Sequence, residues 1–567
     1  MPRPQTLAAL AAAVALSAAA CSTLRPFPNA APMAVDADRQ PFSPRPHKYF
    51  SPFAWDGLDS SLFRPVSSFF AVDPAGAAVN VNALDEVPDS SWWTNRIGRA
   101  DGAITPEVLA VGPCQGAPPL DPAGPWTVVA GKPDGENPGF FIEGQDGSRY
   151  LLKFDGAHQA PRATAADVIV TRIYWAAGYF TPCNRVVFFD KGILRLAEGA
   201  MAERSSGAKE PMTRAMVDAA FARALRLPDG RYRGNASLFV AGRPIGPWRY
   251  EGTRDDDAND VVPHEDRREL RGASVLASWV NHFDSREQNT LASWIPVGPD
   301  RGYVRHYYID FGDCFGSLWD WDALSRRWGH AYVFDAGQIL ADFLTLGLLR
   351  RPWDEAAYGP TGELFGYFDV SPFDPDAWVN EYPNPAFSRR QEGDAAWMAR
   401  IIARFSDAHI AAVVKTAHLE PAVQAELVRV LRGRRDAILA RFLGPEGLSP
   451  LSFPELSDAG EGAQVCLRDL AVEAGVVAPE GRRYAARGWL GLDGSPAAVA
   501  VRDDGTGRPC LTLPRAAAAE PDHPVYAIVD VRADDGPAAR LHLYQLGPRA
   551  YRLVGLERPE GAGSPFD

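Results

Sequence analysis

The hydrophobic period of the chain changes twice, and the order of those changes constrains its fold more than any other feature. Trp126-Thr-Val-Val-Ala, Phe140-Phe-Ile-Glu and Arg149-Tyr-Leu-Leu-Lys-Phe are short apolar runs separated by Gly, Asp and Pro turns. They predict three antiparallel strands. A helix is predicted over Ala163–Gly178, where Ala166, Val168, Ile169, Ile173 and Ala177 recur at helical spacing. Asn184–Asp190 and Gly192–Leu196 read as another hairpin around Asp190-Lys191-Gly192. Helical period then dominates: Arg267–His282, Asp335–Leu348, most of Asp394–His418, and Val423–Leu443. Short strands return after Leu451, as in Tyr526-Ala-Ile-Val-Asp-Val and Arg540-Leu-His-Leu-Tyr-Gln-Leu. Strands, then helices, then strands is the order of an α+β chain with a β-rich C-terminal domain.

The chain has 567 residues, room for roughly three or four domains. We divide it into a leader (1–20), an extended lead-in rich in Pro, Phe and Ser (21–80), a β-rich region (81–265), a helical region (266–450) and a β-rich domain (451–567). Fifty-eight basic residues against seventy-one acidic ones leave a net charge of −13, with no long Lys/Arg run. That balance argues against a nucleic-acid partner.

The leader carries one cation, Arg3, then the apolar run Leu7–Ala20, too short to span a bilayer comfortably. Its end, Ala18-Ala19-Ala20-Cys21, resembles a bacterial lipobox, with Ala18 where that pattern prefers Leu. The resemblance implies export, lipidation at Cys21, and a periplasmic or outer-membrane protein held to the membrane by its anchor; an ordinary cleaved signal is the alternative. Cys114, Cys183, Cys314, Cys466 and Cys510 remain. An odd count at wide spacing argues against a disulfide framework, while an oxidising compartment allows one or two bridges. No zinc spacing occurs.

Three separated signals carry chemistry. Lys153 ends an apolar strand before a helix, where a fixed cation can meet phosphate oxygens. His282-Phe283-Asp284-Ser285-Arg286-Glu287-Gln288-Asn289 follows a helix. Tyr307-Tyr308-Ile309-Asp310-Phe311-Gly312 is an apolar strand ending in Asp-Phe-Gly, reached through a predicted hairpin of Leu291–Ile295 with Gly302–Ile309. Asp284 and Asn289 stand at the spacing of the H-R-D-x-x-x-x-N loop, and Asp310-Phe311-Gly312 matches D-F-G, so this region resembles the catalytic core of the protein-kinase-like superfamily. The likeness covers about residues 126–320.

The resemblance implies a two-lobed core and phosphoryl transfer, in which the protein mainly positions groups and neutralises charge. It implies Mg²⁺ held by Asn289 and Asp310, and ATP steadied by Lys153 and Arg286. It assigns Asp284, with His282 before it, to the attacking hydroxyl, and Asp167, the only acid on the Ala163–Gly178 helix, to orienting Lys153. Gly135 and Gly139 stand where a phosphate-covering turn belongs, although no G-x-G-x-x-G is present. Phe283 replaces the arginine of the motif, no A-P-E follows, and Glu198–Asp260 reads as an insert with a helix near Met212–Leu225. These departures resemble atypical branches such as the phosphatidylinositol-kinase-like, secretory-pathway and spore-coat kinases.

Other readings stay open. Asp284 can cap a helix junction and Asp310 can form a turn. A catalytically inactive kinase-like lipoprotein that binds an envelope polymer or protein is the alternative function, because ATP is scarce beyond the inner membrane. The stretches Leu84–Arg96 and His264–Arg271 also resemble those of a family of bacterial exported proteins, a likeness that implies no particular activity. Arg267, Arg268 and Arg271 are expected in surface ion pairs, Asp255–Asp260 in a solvated acidic loop, and Trp92, Trp93 and His306 in packing.

Overall fold

The computed structural model describes residues 24–69, 76–131, 138–156, 158–203, 209–458, 462–561 and 563–566. Cys21, Gly135 and the whole leader lie outside them. Among the described residues no helix is long and apolar enough to cross a membrane. The fold is mixed α+β, with several sheets and a β-rich C-terminal region.

Seven strands form the first sheet: β1 (Trp126–Gly131), β2 (Gly139–Glu143), β3 (Arg149–Phe154), β4 (Asn184–Phe189), β5 (Leu194–Glu203), β6 (Lys209–Pro211) and β7 (Tyr232–Leu238), in the order β4-β7-β3-β2-β1-β5-β6. The expected hairpin of Asn184–Asp190 with Gly192–Leu196 does not form. β4 pairs antiparallel with β7, and β5 runs parallel to β1. In a flat sheet those two strands would stand about 24 Å apart. The short link between Phe189 and Leu194, partly a 3₁₀ turn, reaches at most about 18 Å. The sheet must therefore be rolled, and its inner face is filled by Trp126, Phe140, Phe154 and Phe189. The segment expected to be an insert is integral, because β7 lies beside β3 at the centre.

Helix α1 (Arg162–Ala177) is buried on nearly all sides, as a helix between two layers must be, and shows no single apolar stripe. α2 (Arg214–Arg223) closes the rolled sheet with Phe221. A second sheet, β10-β9-β8, joins β8 (Arg243–Gly246), β9 (Thr290–Pro296) and β10 (Gly302–Tyr308). The helical region consists of α3 (Arg268–Val280), α4 (Ala336–Leu344), α5 (Glu392–Ile402), α6 (Asp407–Lys415) and α7 (Pro421–Leu443). All but α4 bury apolar residues in one core.

After Leu451 two further sheets, of four and five strands, share a core that includes Leu467, Leu511, Val529 and Leu541. Cys466 and Cys510 are bonded across paired strands, 44 residues apart in sequence. Cys114 joins Cys183, and Cys314 is free and buried. Replacing Cys466 and Cys510 by Ala should cost the C-terminal domain about 2–4 kcal/mol, read as earlier unfolding in denaturant without reductant.

The two stretches that resemble exported proteins meet in space. Asp85 pairs with Arg268, with Arg400 at 3.1 Å and with Arg558 at 2.6 Å. Arg267 lies over the Trp92 ring at 4.8 Å. The arginines expected on the surface are buried, Arg271 completely. Arg271 pairs with the neighbouring Asp266, while Asp260 and Asp394 are brought in from outside the stretch. Asp260 also sits 2.7 Å from His264, so the acidic run is partly structural. Trp92, Trp93 and His306 are core residues, with His306 stacked on Trp92 at 3.4 Å. The lead-in follows an extended path from Leu24, which packs on the last sheet, to Ser51, which donates to Glu287 at 2.8 Å.

Candidate active site

α3 ends at Val280 because Asn281 adopts the left-handed conformation (φ 51°, ψ 50°), which Asn tolerates at a helix C-terminus. Trp378 Nε1 fixes the Asn281 side chain at 2.9 Å. The chain then turns through 282–289 and enters β9. Register in the β9–β10 hairpin sets Tyr308 opposite Thr290, and Ile309 N–H donates to the Asn289 carbonyl at 3.0 Å. The end of the first motif and the start of Asp-Phe-Gly thereby become neighbours. The hairpin is why two motifs separated in sequence lie side by side.

On the other side of the cleft, Lys153 stands in β3 opposite Gly139 of β2 and Asn235 of β7. A Cβ at Gly139 would fall 2.4 Å from the Leu152 carbonyl oxygen, so this glycine serves the close approach of β2 to β3. Lys153 Nζ reaches Asp310 Oδ1 at 2.6 Å and Asp167 Oδ2 at 3.4 Å. Asp167 also accepts from Phe311 N–H at 2.8 Å and Asn235 Nδ2 at 3.1 Å. Asp167 thus contacts Lys153, and Asp310 is the nearer partner. Burial alone would discharge Lys153, but the two carboxylates outweigh it and hold its ammonium above the usual lysine range. Burial pushes the Asp167 carboxyl up against the opposing charge of Lys153.

These residues close the polar end of a cavity of about 370 Å³ between the rolled sheet and the β9–β10 hairpin. Its remaining wall is mostly apolar, with Phe141 and Leu151 on one side and Leu291 and Ile309 on the other. An apolar slot with converging polar groups at one end is the usual form of a small-molecule site.

Asp284 and Asn289 adjoin this cleft through the Ile309 backbone bond. Asn289 Nδ2 donates to Asp284 Oδ2 at 2.7 Å, which keeps the amide oxygen as the donor available to a cation. Arg286 lies between two acids, 2.9 Å from Asp284 and 2.7 Å from Glu381. Its expected phosphate contact gives way to this clamp. Burial, with the charge of Glu381, raises the Asp284 carboxyl well above its usual range; burial likewise raises Glu381. The site thus holds an acid pair sharing one arginine.

His282 is buried, with Nδ1 3.0 Å from the Tyr174 hydroxyl and its ring against Phe311. It supports the Asp-Phe-Gly segment and stays neutral, since burial pushes its pKa down to about 3. The unfolded chain, with an ordinary histidine, takes up this proton below about pH 6.5 and the folded protein does not. Folding stability from His282 is therefore present above pH 6.5 and declines as pH falls toward the folded value. Between pH 7 and 5, wild type should lose about 2 kcal/mol more than His282→Gln, measured by denaturant unfolding at each pH.

Sequence reasoning missed Asn235, Glu381 and Arg162. Arg162 donates to the carbonyls of Gly312 at 2.6 Å and Cys314 at 2.9 Å, fixing the backbone after Asp-Phe-Gly. Asn235 lies in Tyr232-Arg-Gly-Asn-Ala-Ser-Leu, too polar to read as a central strand, and Glu381 lies outside any regular element. Asp310 has φ 57°, a conformation that few residues other than Gly, Asn and Asp adopt without strain, and its side chain is 41% exposed. Carboxylate and amide oxygens from Asp310 and Asn289 are the hard donors that Mg²⁺ selects. Comparison with known proteins finds no family model, curated protein or solved structure that matches this chain.

Proposed function

We propose that the chain is an exported, lipid-anchored phosphotransferase with a two-lobed, atypical kinase-like core, transferring a phosphoryl group from ATP to a hydroxyl in the cell envelope. The observation that carries this reading is the Lys153–Asp310 contact of 2.6 Å at the polar end of an otherwise apolar cleft. The apolar wall suits a nucleobase, and the polar end suits phosphates. Asp310 and Asn289 would hold Mg²⁺, which when bound neutralises charge on the phosphates. Lys153, freed from Asp310 by phosphate, steadies the oxygens of the transferring group. Asp284 orients the attacking hydroxyl and takes its proton as the new P–O bond forms and the nucleoside diphosphate leaves. Arg286 and Glu381 hold Asp284 in place.

Purified protein should be stabilised by Mg-ATP, by about 2.7 kcal/mol at one hundred times Kd, in a thermal-shift assay. The same nucleotide without Mg²⁺ should stabilise it less. No stabilisation at any nucleotide concentration would sink the proposal. A second reading, a catalytically silent binding scaffold, is favoured by the burial of Asp284, which is only 6% exposed. It predicts nucleotide binding without turnover, or stabilisation only by envelope glycans or proteins.

A further inference from the structure

A second cavity, of about 300 Å³, lies between the lead-in at His47–Tyr49 and the loop that follows β8. Leu291 of β9 lines the cleft, and its neighbour Ala292 lines this cavity. Successive strand residues face opposite sides of a sheet, so the β9–β10 hairpin separates the two spaces.

The inner wall is buried and largely apolar. Ala292 contributes a methyl group, and Trp248 spends its Nε1 on the Tyr307 carbonyl at 3.1 Å, so its rings supply carbon surface. His264, also in the wall, is committed through both nitrogens, to the Arg249 carbonyl and to Asp260. The exception is His306, the β10 partner of Ala292, which is 4% exposed. Trp92 covers one face of its ring, and Nδ1 lies 3.3 Å from the Ser91 hydroxyl. Its Nε2 has no hydrogen-bond partner among the described residues. The ring edge that carries Nε2 is therefore the part left to line the cavity, with one nitrogen kept for an occupant.

The rim is cationic. Lys48 and Arg249 are exposed, and neither has an acid partner among the described residues. Arg249 lies over the Tyr49 ring at 4.8 Å, which holds its guanidinium at the mouth. Arg254 and His47 share Asp256, at 2.8 and 3.1 Å, and Asp255 also lines the space. With histidine neutral, three Lys/Arg side chains against two aspartates leave one positive charge, on a chain of net charge −13. That balance suits a ligand with one negative charge rather than a cation or a polyanion.

We propose that this cavity binds a small hydroxylated monocarboxylate. Arg249 and Lys48 take the carboxylate at the mouth, Trp248 and Ala292 cover an apolar body, and His306 Nε2 meets the hydroxyl at the inner end. A cavity of this size is at the small end of ligand sites, which limits the body to about one ring. The site is independent of the phosphotransferase reading and needs no nucleotide.

Titration calorimetry on the full chain, with 4-hydroxybenzoate as the probe, tests it. One saturable site in the millimolar range is expected. 4-Hydroxybenzamide, which keeps the shape and loses the charge, should bind about tenfold more weakly, and benzoate, which lacks the hydroxyl, about fivefold more weakly. Combining Lys48→Gln with Arg249→Gln, both at exposed positions, should weaken the probe about tenfold or more and leave the melting temperature unchanged. Asp310→Asn, on the other side of the hairpin, should bind the probe as wild type does. No saturable binding, equal binding of the amide and the carboxylate, or binding indifferent to the rim substitutions overturns the proposal. Loss of binding in Asp310→Asn also overturns it, and assigns the probe to the cleft.

Discussion

Asp310→Ala should abolish stabilisation by Mg-nucleotide, weakening binding at least about 100-fold, or ~2.8 kcal/mol. The carboxylate is the partly exposed group at the polar end of the cleft, and it pairs with the only lysine there. Removing it takes away the proposed cation ligand and leaves Asp167 as the carboxylate on Lys153. Alanine at φ 57° adds backbone strain of roughly 1–2 kcal/mol, which a stability measurement would mix with the loss of binding. Asp310→Asn separates the two, because asparagine accepts that conformation and conserves volume while losing the charge. Both variants should lose nucleotide binding, and the asparagine variant should keep the unliganded melting temperature nearer to wild type. Asp284→Asn should behave differently. Asp284 lies off the cleft wall, so nucleotide binding should survive while turnover falls by two or more orders of magnitude. Its carboxyl is raised by burial and Glu381, so any wild-type turnover should increase with pH as Asp284 loses its proton, at a pH above that of an ordinary carboxyl.

Asp85→Ala should be strongly destabilising, at about 3–5 kcal/mol. One carboxylate, 17% exposed, serves three arginines that are all buried: Arg268 of α3, Arg400 of α5 and Arg558 after the last strand. Their charges outweigh the cost of burial and hold the Asp85 carboxyl far below the usual carboxylate range. Its contribution is accordingly present at neutral pH and lost only in strong acid, as pH falls through the folded value. Losing the carboxylate leaves three buried cations without their shared partner, so the cost comes from stranded charge rather than from one lost contact. A fall in melting temperature of about 3–4 °C is expected. Because Arg558 belongs to the C-terminal region, the loss should also uncouple that region's unfolding from the helical core. Two transitions in calorimetry where wild type has one would show this.

The period of the sequence was enough to place β1 to β3, the long helices and the β9–β10 hairpin, since each is locally patterned and closed by turn residues. The two motifs were also legible, because hairpin geometry makes Asn289 and Asp310 neighbours whatever surrounds them. What stayed hidden depends on distant pairing. β4 and β5 look like a hairpin, and only the rolling of the whole sheet sends them to different partners. The arginines of Arg267–Arg271 carry acids beside them that suggest surface pairs. Their burial arises from Asp85, Asp260 and Asp394, whose approach no local pattern encodes. Glu381 and Asn235 enter the site from a loop and a polar strand, so neither leaves a periodic signal.

Isothermal titration of Mg-ATP into wild type and Asp310→Asn is the most direct test of the cleft. One Mg²⁺-dependent site per chain in wild type, lost in Asp310→Asn, is the predicted result. Absence of binding in wild type, or equal binding in both proteins, would contradict the assignment of this cleft to a phosphoryl donor.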